Sequence, residues 1–207
     1  MAKLPAVPAH NDLPLYADAL EAAATQCGLP YELLVAQSMQ ESSWKLRAYR
    51  YEPNYDRRYV SGQQARFQGD PAWLTSGPTI ETWFAQNPKR GAERVAGRNY
   101  GVVAQTRLAA SYGPLQIMYP TALQVGYRGS PEDLCLPAQL IWPVQFLAQQ
   151  LAWAKTKGWQ GVNAVKVALA VFNGGRVGNE NPEQLRNSDY VRLIANRYKQ
   201  CWGRLPW

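Results

Sequence analysis

Glu41 stands near the end of an apolar helical pattern, in the segment QESSW at residues 40–44. A carboxyl group in the last turn of a helix meets the negative end of the helix dipole, which disfavours a second negative charge. Leu34, seven residues earlier on the same helical face, adds apolar surroundings that also favour the protonated form. A glutamic acid that is kept neutral can donate a proton to a leaving group, as glycosidic bond cleavage requires.

Glu41 also has a simpler interpretation, because most glutamates on helix surfaces are only solvated. Its carboxylate could hydrogen-bond Ser42 or a nearby backbone group. The local pattern leaves both interpretations open, and other segments of the chain favour the catalytic one.

Two helical patterns at the start of the chain must position Glu41. The first covers residues 13–27 and has Gly28 in the position of a helix stop. The second has Pro30 in its first turn and carries Glu41 near its end. Its apolar stripe is formed by Leu33, Val35, Ala36 and Met39.

Further helical patterns cover residues 80–87, 92–110, 120–126, 140–158, 161–175 and 188–202. Residues 45–60 break the helical period and are typical of a long, partly extended loop. Pro114 and Pro120 disfavour helix in the residues before them, which predicts a short extended piece at 114–118. Since no stretch alternates enough for a large sheet, the sequence predicts a mainly α fold with at most a small β element. We expect a single domain over residues 1–207.

Four segments carry a resemblance to a known family, namely QESSW at 40–44, YGPLQIMYPTA at 112–122, ALAVFNGG at 168–175 and DYVRLI at 189–194. In this order the chain resembles the soluble lytic transglycosylase catalytic domain, which is related to the goose-type lysozymes. The family has a Glu-Ser pair at a helix end, a Gly-Leu-Met-Gln-Ile-Met segment leading to Pro and Thr-Ala, an Ala-Tyr-Asn-x-Gly segment and a late Tyr-Val. The resemblance spans Leu29 to about Ala195 and implies a lysozyme-like fold.

The resemblance assigns a role to each matching residue. Glu41 would be the catalytic acid, Ser42 the neighbour that helps to orient it, and Tyr190 a hydroxyl that reaches toward the catalytic carboxyl. The other matches would bind the glycan, and they are Ser111, Gln116, Phe172 and Asn173. Ser111 rests on a loose match, in the segment AASYG. No metal and no organic cofactor is implied.

These residues also have structural interpretations, which stay open at this point. Gln116 could only satisfy backbone groups in a non-helical stretch. The segment from Asn173 to Gly175 is also an ordinary helix terminator. Tyr190 could be a core aromatic with a satisfied hydroxyl.

The chain departs from the family pattern at several positions. Phe172 replaces the family tyrosine, so a hydroxyl contact is lost there, and Pro114 replaces the usual leucine. The proline after the methionine arrives one residue late, at Pro120. Seventy positions separate Glu41 from Ser111, which implies an insertion at about 45–110.

The insertion interleaves tyrosines with arginines, namely Tyr49, Tyr51, Tyr55 and Tyr59 with Arg47, Arg50, Arg57 and Arg58. These side chains could extend a glycan cleft, with sugars on the rings and wall carboxylates on the arginines. Equally, Glu52 and Asp56 could pair with the arginines while the rings pack underneath.

The resemblance implies cleavage of the bond between N-acetylmuramic acid and N-acetylglucosamine with a 1,6-anhydromuramyl product, because these enzymes need only one carboxylate. A hydrolase of the goose-type lysozyme kind is the close rival, since ordinary glycosidases use two carboxylates. Glu52, Asp56, Asp70, Glu81 and Glu93 all lie in the insertion as candidates for the second. A non-catalytic glycan-binding or virion structural module is a further alternative.

Charge and composition limit the partners. The 22 lysines and arginines against 15 acidic residues give a net charge of +7, which equally suits an ordinary solvated basic surface or an anionic partner such as nucleic acid, an anionic membrane or a cell-wall polymer. No zinc-finger spacing or RNP-type motif supports specific nucleic-acid binding. Peptidoglycan glycan strands are the expected partner, with other virion proteins as a further one. The three separated cysteines suggest reduced, buried thiols.

The expected location follows from the same features. The first 14 residues make a poor signal peptide, and no apolar run is long enough for a membrane span. We therefore expect a bacteriophage enzyme that is made in the host cytoplasm and acts on periplasmic murein. It would act either at lysis or as a virion component, with a bacterial enzyme as the alternative.

Overall fold

The computed structural model describes residues 11–55, 109–129 and 131–204. These residues are mainly helical and include a three-stranded antiparallel sheet, which confirms the prediction of a mainly α chain with a small β element. Two compact units make up the chain: the helical unit, residues 1–46 with 137–207, and the sheet unit, residues 47–136. The prediction of a single domain stays a prediction. Most of the predicted insertion, at residues 56–108, lies outside the described residues, as do the helical pattern at 80–87 and nearly all of that at 92–110.

Among the residues that the structure describes, five helices form the helical unit. They are α1 (Leu13–Cys27), α2 (Tyr31–Ser42), α4 (Ile141–Thr156), α5 (Gly161–Gly174) and α6 (Ser188–Trp202), and a short 3₁₀ turn at Pro137–Gln139 precedes α4. Helix α4 packs against α5 and α1, and α2 packs against α6. These bounds agree closely with the sequence patterns, and α1, α5 and α6 end at glycines that the sequence displays, Gly28, Gly175 and Gly203.

The first helix ends at Gly28, as predicted. Gly28 has a φ of 65°, and its N–H and that of Leu29 bond carbonyls of the last turn of α1. A left-handed residue costs little when it is glycine, which explains the sharp stop. At the other end, the side chain of Asn11 accepts a hydrogen bond from the N–H of Leu13 at 2.9 Å.

Helix α2 is buried on more faces than the sequence predicted. The expected stripe of Leu33, Val35, Ala36 and Met39 left out Leu34, which is completely buried, and the polar Gln37 and Ser38, which are completely buried as well. The stripe was too narrow because α2 packs against both α1 and α6. A helix that packs against two neighbours buries residues on more than one face.

The last helix runs along α2 in the opposite direction. Tyr190, in the first turn of α6, bonds residues at the end of α2, whereas the indole of Trp202 donates to the carbonyl of Glu32 at the beginning of α2. Between these points Arg197 donates to the side chain of Gln40 at 3.2 Å. This packing brings the late Tyr-Val segment to the end of the helix that carries Glu41.

The described part of the sheet unit contains three short antiparallel strands in the order β1 (Tyr49–Tyr51), β2 (Ala110–Tyr112) and β3 (Ile117–Met118). Tyr49 lies opposite Tyr112, and Ser111 lies opposite both Arg50 and Met118. A single helical turn follows β1 at Pro53–Tyr55, and α3 (Tyr119–Gln124) follows β3. A 3₁₀ turn spans Pro131–Cys135. The predicted extended piece at 114–118 is therefore a strand only at its end, since residues 113–116 form a turn.

No helix in the described parts of the chain is long and apolar enough to span a membrane.

Candidate active site

The carboxyl group of Glu41 lies in the last turn of α2, where it is half-buried. The hydroxyl of Tyr190 donates a hydrogen bond to its Oε1 at 2.5 Å. Tyr190 is itself buried, and 149 positions separate the two residues in the sequence. This is the contact that the resemblance to lytic transglycosylases implies, made by the packing of α6 on α2.

Gln37 continues the hydrogen-bond chain one turn further down α2. Its Nε2 donates to the hydroxyl oxygen of Tyr190 at 3.2 Å. Because Gln37 supplies a proton to that oxygen, the hydroxyl keeps its own proton for Glu41. The other amide atom, Oε1 of Gln37, is buried without a hydrogen-bond partner in the part of the chain that the structure describes.

Sequence reasoning did not single out Gln37. Its signal was a long polar residue directly after the apolar run from Leu33 to Ala36, four positions before Glu41. Residues four apart lie on the same helical face. An amide one turn before the carboxyl, on the same helical face, was therefore available as a clue.

The backbone after Glu41 is held in an unusual conformation. Ser43 and Trp44 have φ values of 53° and 63°, in the left-handed region that residues other than glycine seldom adopt. Trp44 is 4% exposed, and its indole N–H donates to the carbonyl of Val35 at 3.0 Å. Burial of this ring offsets the strain of the turn and fixes the helix end on which Glu41 lies.

A second tie reaches the same segment from α1. The backbone N–H of Leu46 donates to the carboxylate of Asp12 at 2.9 Å. The chain that leaves α2 is thus anchored on both sides of Lys45, at Trp44 and at Leu46.

Ser42 uses its hydroxyl proton within its own helix. Its Oγ donates to the carbonyl of Ser38 at 2.9 Å. That bond leaves only the oxygen lone pairs of Ser42 to interact with other groups. The orienting role of Ser42 toward Glu41 stays a prediction.

Phe172 and Asn173 lie at the end of α5, as the sequence pattern indicates. The Phe172 ring is half-buried against Phe146, with 5.5 Å between ring centroids. Asn173 is exposed, and its Oδ1 accepts a hydrogen bond from Nδ2 of Asn187 at 2.6 Å. Helix α5 stops at Gly174, so this segment does terminate a helix, and the sugar contact of Asn173 stays a prediction.

Asn179 is a structural residue near this end that the sequence did not reveal. It is completely buried, and its Nδ2 bonds the carbonyls of Ala170 and Gly175 while its Oδ1 accepts from the N–H of Asn187. Asn179 thereby satisfies the end of α5 and holds the residue that precedes α6. The start of α6, and with it Tyr190, is positioned by this amide.

Ser111 and Gln116 lie together in the sheet unit. Oγ of Ser111 donates to Oε1 of Gln116 at 2.9 Å, and Nε2 of Gln116 donates to the carbonyl of Gly113 at 2.8 Å. Both residues are buried, and Gln116 has a φ of 48°. The side chain of Gln116 therefore satisfies the tight turn between β2 and β3, which is its structural interpretation, and its glycan contact stays a prediction.

Glu52 borders this pair. Its Oε1 forms an ion pair with Nε of Arg50 at 2.6 Å and lies 3.4 Å from Oγ of Ser111. The arginine side chain is 54% exposed and the glutamate 30%, so solvent weakens the pairing. Of the acidic residues proposed for a second catalytic carboxylate, Glu52 is in the described residues, and the other four lie outside them.

The structure thus brings the candidate residues together in separate groups. Glu41 and Tyr190 form one group in the helical unit, and Ser111 and Gln116 form another in the sheet unit. Phe172 and Asn173 contact Phe146 and Asn187. Of the tyrosines and arginines in the predicted insertion, Tyr59, Arg57 and Arg58 lie outside the described residues.

The three cysteines are free. Cys201 is buried, whereas Cys27 and Cys135 are only half-buried, which corrects the prediction of three buried thiols. Within the described ranges, no group of three or more His, Cys, Asp or Glu side chains is arranged to hold a metal ion.

No protein-family model matches the chain, and no curated protein or solved structure is significantly similar to it.

Proposed function

We propose that the protein is a lysozyme-like peptidoglycan lytic transglycosylase with Glu41 as its catalytic acid and base. It would cleave the β-1,4 bond between N-acetylmuramic acid and N-acetylglucosamine and leave a 1,6-anhydromuramyl end. The observation that supports this proposal most is the hydrogen bond from Tyr190 to Glu41. Two motifs at opposite ends of the chain meet there in the way that the family resemblance implies.

The location of Glu41 suits proton transfer. A half-buried carboxyl at a helix end is accessible to a polysaccharide, and the buried Leu34 supplies apolar surroundings on the helical face below it. Its partner Tyr190 is a neutral donor. Glu41 can therefore change its protonation state without breaking an ion pair with that partner.

The proposed reaction balances with one carboxyl group. Protonated Glu41 gives its proton to the oxygen that links the two sugars, and the bond from that oxygen to C1 of the muramic acid breaks. The carboxylate then takes the proton of the muramic C6 hydroxyl while the oxygen of that hydroxyl forms a bond to C1. No water is consumed, and Glu41 returns to its protonated form.

Tyr190 and Gln37 would position the acid during both steps. The hydroxyl of Tyr190 holds Oε1 of Glu41, and Gln37 directs that hydroxyl by donating to its oxygen. A fixed donor stabilises the carboxylate form in which Glu41 acts as the base. Since α2 and α6 are packed along their length, these groups need no rearrangement when the substrate binds.

Clearing of purified peptidoglycan suspensions tests the assignment of Glu41. We expect Glu41→Gln to lower the rate by roughly 10²- to 10⁴-fold, the usual contribution of a general acid or base. Glu32→Gln is the matched control, because Glu32 lies in the first turn of the same helix and should leave the rate nearly unchanged. Equal clearing by wild type and Glu41→Gln would exclude the proposal.

Tyr190→Phe examines the supporting contact. The substitution keeps the buried ring and removes only the hydroxyl that bonds Glu41. We expect a loss of about 10- to 100-fold, equivalent to the roughly 1.5–3 kcal/mol of a hydrogen bond to a charged group. An unchanged rate would show that this contact is only structural.

The same peptidoglycan suspensions distinguish the proposed transglycosylase from a hydrolase and from a non-catalytic binding module. Hydrolysis needs a second carboxylate, so neutralising one of the five candidates (Glu52, Asp56, Asp70, Glu81 or Glu93) would abolish clearing, and the products would carry reducing ends. A binding module would retain peptidoglycan without clearing it, whether or not Glu41 is present.

A further inference from the structure

The sheet unit contains a pocket on the face of its sheet that points away from Ser111. Neighbouring residues of a strand lie on opposite faces, and the register places Tyr49 opposite Tyr112 on one face and Arg50 opposite Ser111 on the other. Tyr49 and Tyr112 line the pocket, together with Arg47, Glu132, Cys135 and Leu136. The pocket is therefore separated by the sheet from Ser111 and Gln116.

The size and walls of the pocket suit a small molecule. Its volume is about 430 Å³, within the range of roughly 300–1,000 Å³ that is usual for ligand sites. The rings of Tyr49 and Tyr112 meet edge to face, with 5.4 Å between their centroids. Tyr49 is 51% exposed although it is a large aromatic residue, and Leu136 is 46% exposed beside it. These surfaces would bury the carbon chain of a ligand.

Opposite charges lie on the walls of this pocket. Arg47 and Glu132 are both exposed, so each charge is accessible to a ligand that enters from solvent. Burial raises the pKa of the Cys135 thiol, which lines the same pocket; a backbone hydrogen bond from Gly113 and the charge of Arg47 oppose this shift, and Glu132 adds to it. The thiol is therefore a poor nucleophile, which favours binding over covalent chemistry.

We propose that this pocket binds the zwitterionic end of an amino acid or short peptide. The carboxylate of the ligand would bond the Arg47 guanidinium, its ammonium group would meet Glu132, and its carbon chain would lie on Tyr49. An uncharged sugar would use the ring but neither charge. A ligand with both charges and an aliphatic chain uses every wall of the pocket.

The pocket extends the proposed function to the peptide part of the substrate. Peptidoglycan carries peptide stems whose diamino acids present an amine and a carboxylate together, and this connection rests on the proposed function. Recognition of a zwitterion does not rest on the proposed function, because it depends on the pocket alone.

Isothermal titration with three related compounds tests the proposal. The first is 2,6-diaminopimelic acid, which carries both charges; pimelic acid lacks the amines, and 1,5-diaminopentane lacks the carboxylates. We expect the diamino acid to bind about tenfold more tightly than either analogue, because each analogue loses one charged contact.

Two variants should give opposite patterns. Arg47→Gln should weaken binding of the diamino acid and of pimelic acid without weakening that of 1,5-diaminopentane. Glu132→Gln should weaken binding of the diamino acid and of 1,5-diaminopentane without weakening that of pimelic acid. Arg50→Gln is the matched control, since Arg50 lies on the opposite face of the sheet and should leave all three affinities unchanged. Circular dichroism melts verify that each variant is folded, and Arg47→Lys replaces Arg47→Gln if that variant unfolds.

Three results would overturn the proposal. One is an absence of saturable binding up to on the order of 10 mM diamino acid. Another is equal affinity in wild type and both pocket variants. The third is displacement of the diamino acid by N-acetylglucosamine oligomers, which would make the pocket a sugar site. Because no glycan is cleaved in these titrations, their failure leaves the proposed function standing, and an inactive protein that binds the diamino acid leaves the pocket standing.

Discussion

Two buried glutamines show how differently the helical unit and the sheet unit use the same side chain. Gln116 has both ends of its amide bonded, to Ser111 and to the carbonyl of Gly113. Gln37 has only its Nε2 bonded, to Tyr190, while its buried Oε1 has no partner in the described ranges. The Gln116 amide stabilises a turn, whereas burial of the unpartnered Oε1 of Gln37 destabilises the fold.

This difference predicts a structural role for Gln116 and, under the proposed function, a positioning role for Gln37 beside the catalytic acid. A buried polar atom without a partner costs about 1–3 kcal/mol, and a catalytic role is one reason why a folded protein keeps such an atom. Gln37 donates a hydrogen bond to Tyr190, which in turn donates to Glu41. The free energy lost by burying Oε1 of Gln37 is therefore spent next to the proposed catalytic acid. Gln116 lies in a turn with left-handed backbone, where its Nε2 adds a second hydrogen bond to the Gly113 carbonyl, which already accepts one from the Gln116 backbone N–H.

Removal of the Trp44 ring should disturb the helical unit most. Trp44→Ala deletes a buried indole and its hydrogen bond to Val35 while leaving a strained backbone, so we expect about 3–5 kcal/mol of lost unfolding free energy. Urea denaturation measures this loss. Leu15→Ala is the control, because Leu15 is 67% exposed and its loss should change stability by less than about 0.5 kcal/mol. Similar values for the two variants would mean that Trp44 does not hold the end of α2.

A methyl group at Gly113 should disturb the sheet unit. Gly113 has a φ of 74°, and a Cβ there would lie 2.7 Å from the backbone oxygen of Leu134. Gly113→Ala combines a collision with left-handed strain, for which we expect about 2–3 kcal/mol of destabilisation or more. Gly158→Ala is the matched control, because Gly158 has a φ of 89° with open space where the added Cβ would lie, so that only the strain of about 1 kcal/mol remains. Equal losses of unfolding free energy in the two variants would show that a Cβ at Gly113 does not collide with the Leu134 carbonyl.

Leucine in place of each glutamine separates the two roles. Gln116→Leu removes the hydrogen bonds of the amide to Ser111 and to the Gly113 carbonyl, so we expect about 1–3 kcal/mol of destabilisation. Gln37→Leu removes an unpartnered buried acceptor, so its stability should stay within about 1 kcal/mol of wild type while the rate of peptidoglycan clearing falls roughly 2- to 10-fold. Denaturation and clearing assays on both proteins provide the four values. Loss of stability in Gln37→Leu without loss of activity would reverse the assignment.

The smallest effect concerns alkaline stability of the helical unit. Burial raises the pKa of Cys201 from its ordinary value of 9.0 to about 11, and Arg197 partly opposes the shift. Between these two values the unfolded chain releases the thiol proton and the folded chain keeps it. The stability from this group is therefore fully present below pH 9 and is lost as the pH rises toward 11. Denaturation across this range should show a shallower decline for Cys201→Ala than for wild type, and identical slopes would contradict the prediction.

The sequence predicted those parts of the fold that local signals determine. Gly28 ends α1 where expected, and the bounds of α5 and α6 follow the apolar periods that precede Gly175 and Gly203. The breadth of burial on α2 could not be predicted, because it depends on two helices that approach from distant parts of the chain. The pairing of β1 with β2 was missed for the same reason, since their residues are about sixty positions apart.

The candidate site was predictable where a family motif named a residue and a partner. The meeting of Glu41 with Tyr190 followed from the resemblance, and the packing of α6 on α2 explains it. The family motifs assign no role to Gln37, Trp44 or Asn179. These residues act through buried hydrogen bonds that exist only in the folded chain. Their polar or aromatic character was visible, but their partners were not.

The most direct test of the central claim is the identity of the sugar end that the protein leaves on peptidoglycan. Digestion in water enriched in heavy oxygen, followed by mass spectrometry, shows whether solvent enters the product. The proposed single-carboxyl mechanism predicts 1,6-anhydromuramyl ends that contain no heavy oxygen and that disappear with Glu41→Gln. Reducing ends labelled with heavy oxygen would contradict it.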